Sequence, residues 1–541
     1  MSDELKTGTM QRDEARDVGS RRTRRSVLAG VGATALLGGL PVRAESVGAR
    51  QGELRLGAAA GPEMRRDFVG LSYESAQLGD ADFFAADNRE LVTLFRALGE
   101  TGVLRIGGNS SEFCWWRTSD GDREPVLPES ARRGTTYMPH RFTAIEPCAI
   151  DRLAGFLDAT GWKLIYGLNL GTARPEAGAE EAAYVARGMG ARLLNFQIGN
   201  EPDLYGQASN GLRGAGWDFD RYLDEWTRYA QAVLKRVPEA QLAGPDVASN
   251  VEWVKRFAEE APQRFPGHVV ECTGHYYAEG PPESPGTTME RLLTPDARLA
   301  RDVAVETQAA ARARLAFRMT EANSCYRGGK WGMSDAFGSA LWAAEFLLEL
   351  ASAGVVGANL HGGGGKVITS ALGDHEQRIA PGATAGRTER RELANRMGSA
   401  YTPIAGSRET GFVARPVCYG MKVAGLLAGG RMRGVTLREA GSAVGWAAEM
   451  PTGETRVVVV NPEPGERLVL RVESAGMARV WRLEAADLAA TAGVRLAGAA
   501  MDADGVWRAK TDERVTSRHG SMEIAVPGAS AAVIFLDSAK S

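Results

Sequence analysis

Cysteine is scarce in this 541-residue chain: there are five, at positions 114, 148, 272, 325 and 418, widely spaced and without a CxxC pair. An odd, dispersed set gives neither a disulfide framework nor a zinc finger. Buried free thiols are expected, with one disulfide as the alternative. Long apolar runs are missing too. The run Val27–Leu40 has 14 residues, short of the roughly 20 that a membrane-spanning helix needs. There is no dense basic stripe, which argues against a nucleic-acid partner. No internal repeat is visible, and neither a phosphate loop nor a lysine motif of a nicotinamide or pyridoxal enzyme appears. The expected cofactor is therefore none, and no metal cluster is required.

What is present begins at the N-terminus. Arg24-Arg25-Ser26-Val27-Leu28 is a twin-arginine pair opening onto the apolar run, and Val42-Arg43-Ala44 offers a small-x-small cleavage site. Residues 1–44 read as a twin-arginine-type signal, the kind that exports a folded protein to the periplasm or beyond. Without it, 56 basic and 62 acidic residues remain, a net charge of −6. No membrane association is expected after signal removal. Residues 45–65 form an N-terminal segment with one strand, Glu53–Leu56, suited to pairing with a β-domain near the C-terminus.

From about residue 66, short apolar runs alternate with longer amphipathic ones. The strand candidates are Asp67–Tyr73, Val103–Ile106, Lys163–Leu168, Leu193–Ile198, Gln241–Ala243, Val269–His275, Ala316–Thr320 and Val355–Leu360. Eight β-then-α units in series predict a (β/α)8 TIM barrel over 66–430. A doubly wound sheet reads similarly, but no Gly-rich dinucleotide loop follows the first strand. One clear helix runs from Asp335 to Ala351, with Ser334 or Asp335 as its cap. Residues 431–541 switch to short alternating strands with Gly, Pro and Asp turns, the pattern of an accessory β-sandwich. Between the eighth strand and about Ala400 lies a long segment rich in Gly and charge, including Arg387, Arg390, Arg391 and Arg396. A stretch like that is usually functional or disordered.

Two acids sit just past apolar strands. Glu201 follows Asn195-Phe196-Gln197-Ile198-Gly199-Asn200 and precedes Pro202, at the end of the fourth strand; Glu321 closes Phe317-Arg318-Met319-Thr320, the seventh. Such strand ends converge at one mouth of a barrel. Glycosidic cleavage needs a carboxyl pair of this kind. One protonates the leaving oxygen, and in a retaining enzyme the other attacks the anomeric carbon from about 5–5.5 Å away. Each Glu alone is ordinarily a solvated loop residue; the pair on these two strands is far more specific.

Asn200-Glu201 after the fourth strand and Glu321 after the seventh resemble the signature of glycoside hydrolase clan A. Further segments resemble its family 79, which holds β-glucuronidases and heparanases. They are Phe68-Val69-Gly70-Leu71-Ser72-Tyr73-Glu74-Ser75, Leu104-Arg105-Ile106-Gly107-Gly108-Asn109, Gly244-Pro245-Asp246, His275-Tyr276-Tyr277, Ser334-Asp335-Ala336-Phe337-Gly338 and Asn359-Leu360-His361-Gly362-Gly363. The resemblance covers about residues 66 to 430.

It implies Glu201 as acid/base and Glu321 as nucleophile. Asn200 would donate to the sugar 2-hydroxyl, and Tyr276 would hydrogen-bond Glu321, with Tyr277 read as a buried structural tyrosine. Gly328 and Gly329, with Tyr401, would meet a uronate carboxylate, and Arg327 would either add charge there or face solvent. Glu74 and Asn109 are candidates to hold other sugar hydroxyls or to serve as structural supports. The implied partner is a carbohydrate, a glucuronide or a glucuronate-containing glycan. The implied function is exo-acting retaining β-glucuronidase, with three alternatives: an endo-β-glucuronidase of heparanase type, another clan A glycosidase, or a catalytically dead carbohydrate-binding barrel.

Overall fold

The computed structural model describes residues 48–127, 142–207, 210–363, 386–474 and 476–537. The expected signal at 1–44 lies outside them. Eight strands, Val69–Glu74, Val103–Gly107, Lys163–Leu168, Leu193–Ile198, Leu242–Val247, Val269–Glu279, Ala316–Cys325 and Ala358–Gly362, form a closed barrel in chain order. All are parallel, and the eighth closes on the first with Leu360 opposite Leu71. The expected (β/α)8 architecture is present.

Each strand is followed by a helix, in order Arg89–Leu98, Pro147–Thr160, Pro175–Met189, Phe219–Arg236, Val251–Arg264, Ala297–Arg312, Phe337–Ser352 and, after an excursion, Pro416–Gly425. Proline opens three of them, at the position where its missing N–H costs nothing. Asp218, Asn250 and Asp296 cap three others through their side chains.

Successive residues of each barrel strand face opposite ways. Leu71, Tyr73, Leu104, Ile106, Phe196 and Ile198 belong to the apolar layer under the helices. Their neighbours Ser72, Arg105 and Gln197 hydrogen-bond across the barrel interior. A barrel lined with polar side chains is costly unless every charge is paired, and that pairing builds the site.

The helix Phe337–Ser352 departs from expectation. Neither Ser334 nor Asp335 caps it; the Asp335 carboxylate accepts the Gly332 N–H instead, at 2.6 Å. The N–H groups of Phe337 and Gly338 donate to the carbonyls of Ala490 and Leu488, both at 2.9 Å. The cap therefore comes from the β-domain. Against this helix packs Pro416–Gly425, where a Cβ on Gly420 would stand 2.0 Å from the Ala340 carbonyl. Only glycine permits that approach.

The C-terminal part is a two-sheet β-sandwich. One sheet has the order Val435–Arg438, Ala49–Leu56, Arg467–Glu473, Ser521–Val526; the other centres on Thr455–Asn461 and Ser530–Leu536. The N-terminal strand runs parallel to Arg467–Glu473 and antiparallel to Val435–Arg438. Val457, Val459 and Ile534 fill the sandwich interior, whereas Val458, Val460, Val533 and Phe535 join the barrel's core. A strand covered on both faces has no polar side to show, hence the unbroken Val457–Val460 run. Four cysteines are buried free thiols and Cys148 is an exposed one.

The segment after the eighth strand is described from residue 386. Arg387–Arg396 is a helix, and Arg387 and Arg391 pair with Asp502 and Asp504 of the sandwich. These two arginines tie the excursion to the β-domain and do not reach toward a substrate.

Candidate active site

The C-terminal ends of the barrel strands bring Glu201 and Glu321 together. One carboxylate oxygen of each, with a ring nitrogen of His275, lies within 4.8 Å of the others. That separation suits a retaining pair better than an inverting one, which leaves room for a water between them. Both acids line a cavity of about 970 Å3, with Asn109, Asn200, His275 and Tyr277 on its inner wall.

Glu201 sits in the left-handed region, φ 48°, immediately before Pro202. Its N–H donates to the Asp246 carbonyl at 2.8 Å. Glu112, absent from the sequence expectations, accepts the N–H groups of Asn200 (2.6 Å) and Gly171. These bonds hold the unusual turn and aim both side chains inward.

Arg105 is the hub of the interior. Fully buried, its guanidinium donates to Glu321 Oε2 (2.7 Å), Asp246 Oδ2 (2.5 Å), Asn200 Oδ1 (2.7 Å), Gln197 Oε1 (2.8 Å) and Ser72 Oγ (3.0 Å). Such a planar fork matches several acceptors at once. His275 stands between two acids, with Nδ1 3.1 Å from Glu201 Oε1 and Nε2 3.1 Å from Asp246 Oδ1. His361 reaches Ser72 Oγ at 2.9 Å and lies 3.6 Å from Glu321 Oε2.

These charges set the protonation states. Burial alone pushes the Glu321 carboxyl up; His361, His275, Arg105 and the Tyr277 hydroxyl outweigh it and hold it well below the usual carboxylate range. Glu321 is thus held in its ionised form. Burial would lower the His275 pKa, yet Asp246 and Glu321 raise it to about 10. Asp246, opposed by burial but gripped by Arg105 and His275, is held well below its ordinary value. Glu201, His275 and Glu321 each offer one atom that could ligate a metal ion; an ion there would have to displace a proton of His275.

The expected residues fall into place unevenly. Asn200 Nδ2 donates to Asn109 Oδ1 at 3.0 Å, so those two share the wall beside Glu201. Tyr276 does not hydrogen-bond Glu321. Its hydroxyl donates to Asp296 at 2.8 Å, and its ring stacks on Phe346 in the helical layer. Tyr277 is the residue that donates to Glu321 Oε1, at 2.7 Å. The cause is strand alternation: His275 and Tyr277 share the inner face and Tyr276 the outer. Glu74 is fully buried and off the cavity wall, accepting the Ser110 N–H at 2.7 Å and facing His361 Nε2 at 3.4 Å.

Gly328 and Gly329 turn with φ of 81° and 82°, and the Tyr401 N–H donates to the Gly328 carbonyl at 3.2 Å. A Cβ on Gly329 would meet Ser334 Oγ and the Tyr401 nitrogen at 2.8 Å. The three expected uronate-binding residues are therefore one unit. They stand behind the wall, with the Tyr401 ring 6.0 Å from those of Tyr277 and His361. Arg327 lines the cavity and pairs with Glu283 at 3.2 Å.

A parallel eight-stranded barrel with two opposed acids at its mouth defines a glycosidase-type (β/α)8 architecture. No family model matches the sequence. The chain is similar to a β-glucuronidase of Aspergillus niger, 26% identical over 303 residues that make up 51% of this chain and 53% of that one. It is also similar to a β-glucuronidase of Neurospora crassa, 27% identical over 310 residues, 50% of this chain and 52% of that one. The chain thus spans about half the length of the curated relatives it matches. Both agree with the family resemblance carried by the motifs. Among solved structures, a 4-O-α-L-rhamnosyl-β-D-glucuronidase of Fusarium oxysporum superposes with a TM-score of 0.66 at 15% identity, covering 90% of this chain and 100% of that one. An arabinofuranosidase of Xanthomonas axonopodis pv. citri gives 0.59 at 15% identity, covering 90% and 100%. At that identity the likeness speaks for the fold alone.

Proposed function

We propose that this protein is a retaining glycoside hydrolase acting on β-glucuronides, with Glu321 as nucleophile and Glu201 as acid/base. The observation that carries the reading is the placement of these two carboxylates within 4.8 Å at the barrel mouth, one of them held ionised by its neighbours. In the first step Glu321 attacks the anomeric carbon while Glu201 protonates the departing oxygen. In the second, Glu201 takes a proton from water, whose oxygen displaces Glu321. Asn200 and Asn109, joined by a hydrogen bond beside Glu201, would hold sugar hydroxyls.

The glucuronide preference is supported by the two relatives named β-glucuronidase. Terminal, exo-type cleavage is favoured over attack within a long polyanion. The mature net charge is −6, and Arg387 and Arg391 are spent on Asp502 and Asp504. Export ahead of residue 45 is the companion proposal, resting on the twin-arginine motif; among the described residues no helix is long and apolar enough to cross a membrane.

The test is a set of chromogenic glycosides (glucuronide, glucoside, xyloside and arabinofuranoside) with the anomeric configuration of the product read by NMR. Retained configuration and a preference for the glucuronide are expected. Inverted product removes the mechanism, and preference for a neutral sugar removes the substrate class. Tyr401→Phe separates two roles: a larger loss on the glucuronide than on the glucoside marks carboxylate recognition, and an equal loss marks support of Tyr277.

A further inference from the structure

We propose that Asp246 is a positioning residue that, through His275, keeps the acid proton of Glu201 on the oxygen facing the substrate. This rests on Glu201 being the acid/base of the proposed reaction.

Asp246 touches the Glu201 turn twice. Its backbone carbonyl accepts the Glu201 N–H at 2.8 Å, and its side chain lies 3.1 Å from His275 Nε2, whose Nδ1 lies 3.1 Å from Glu201 Oε1. The Asp246 carboxylate is itself fixed by three donors: Arg105 (2.5 Å), Thr320 Oγ1 (2.5 Å) and Gln197 Nε2 (2.6 Å). It cannot swing away from the imidazole.

A cationic imidazole donates from both nitrogens. Nε2–H goes to Asp246, and Nδ1–H goes to Glu201 Oε1. An oxygen that receives this hydrogen has no reason to point an acid proton back at the ring. The proton of Glu201 therefore resides on Oε2, from which it passes to the leaving oxygen. In the return step a water proton goes back to Oε2 while the hydroxyl joins the anomeric carbon. A neutral His275 protonated on Nε2 would instead accept from Glu201 through Nδ1, turning the proton away from the substrate. Which form exists depends on the charges facing the ring: Asp246 from the fifth strand, Glu201 and Asp203 after the fourth, Glu321 from the seventh and Arg105 from the second. Glu201 and Glu321 change charge or bond during turnover, and Asp203 faces the ring from farther off. Asp246 is the anion that stays.

The experiment labels histidine at Cε1 with 13C and follows the six signals from pH 5 to 9, His275 being the one lost in His275→Gln. In the wild type the His275 signal is expected to remain that of an imidazolium through pH 8. In Asp246→Asn, which keeps the acceptor oxygen and removes the charge, it is expected to titrate below pH 8. Hydrolysis of an alkyl glucuronide by this variant should fall at least tenfold more than that of an activated aryl glucuronide. A wild-type His275 titrating near its ordinary value overturns the proposal, as does a variant His275 still cationic at pH 8, or equal losses on the two leaving groups. The wild-type titration needs no variant, so a poorly folding Asp246→Asn does not remove the test. A wild type that cleaves no glycoside removes the proposed function, while the histidine titration still decides the role of Asp246.

Discussion

Replacing Tyr277 by phenylalanine deletes one hydroxyl, the one 2.7 Å from Glu321 Oε1, and leaves the ring in place. A hydrogen bond to a charged group contributes about 1.5–3 kcal/mol. At about 1.4 kcal/mol per tenfold in rate, a bond that orients the proposed nucleophile would be worth about 10- to 150-fold in kcat/KM on an aryl glucuronide. The same change should move the acid limb of the pH–rate profile upward, because Tyr277 is one of the groups that hold the Glu321 carboxyl down. Tyr276→Phe is the matched control. It removes a bond of 2.8 Å that goes to Asp296 and not to either member of the carboxylate pair, so kcat/KM should change less than about threefold, the effect of under 1 kcal/mol. Steady-state kinetics of the two variants decide the matter. Equal losses, or a larger loss at Tyr276, would refute the reading of which face each tyrosine occupies.

Arg105→Leu leaves Asp246 and Glu321 buried without their cation, which costs about 3–5 kcal/mol; a thermal melt should show a large drop, and an unchanged melting temperature would count against the hub role. Gly329→Ala combines φ of 82° with a 2.8 Å approach to the Tyr401 nitrogen, so the variant should lose about 1–3 kcal/mol, measured by denaturant unfolding, whereas Gly190→Ala, with open space around it, should show only its backbone strain. Stability should also fall with rising alkalinity. The His275 pKa is raised from 6.5 to about 10, so its contribution is complete below pH 6.5 and is lost as pH rises through about 10. His275→Gln should flatten that part of the curve, and an identical slope in both proteins would rule it out as the cause.

The barrel was legible because each parallel strand is covered on both faces and leaves a short apolar run. The same rule explains where the strand ends differ from the expected ones. The sixth strand reads as ending at His275 and continues to Glu279; the seventh reads as ending at Thr320 and continues to Cys325; the fifth extends through Asp246. These extensions carry the polar side chains of the site, and polarity is what a search for apolar runs discards. Glu201 and Glu321 stood out because a known chemistry asks for two acids at those places. Arg105, Asp246 and His275 did not, since a charged residue within a strand reads as solvent-facing until its partners, tens to hundreds of residues away, are known. All three lie inside the motifs that carry the family resemblance. Tyr277 was recoverable from alternation: once His275 is placed inward, the residue two further on must follow.

The N-terminal strand Ala49–Leu56 has its hydrogen-bonding partners at Val435–Arg438 and Arg467–Glu473. Whatever part of the barrel has already formed, this strand stays an unpaired edge until nearly four hundred further residues have been made. Contacts of such sequence separation come late and slowly, and an open edge invites wrong partners meanwhile. The stretch between these strands is in effect a loop fastened by one small sheet. A transport route that threads polypeptide through a pore N-terminus first would deliver that edge strand well before its partners, whereas one that waits for a finished fold would carry the clasp already shut.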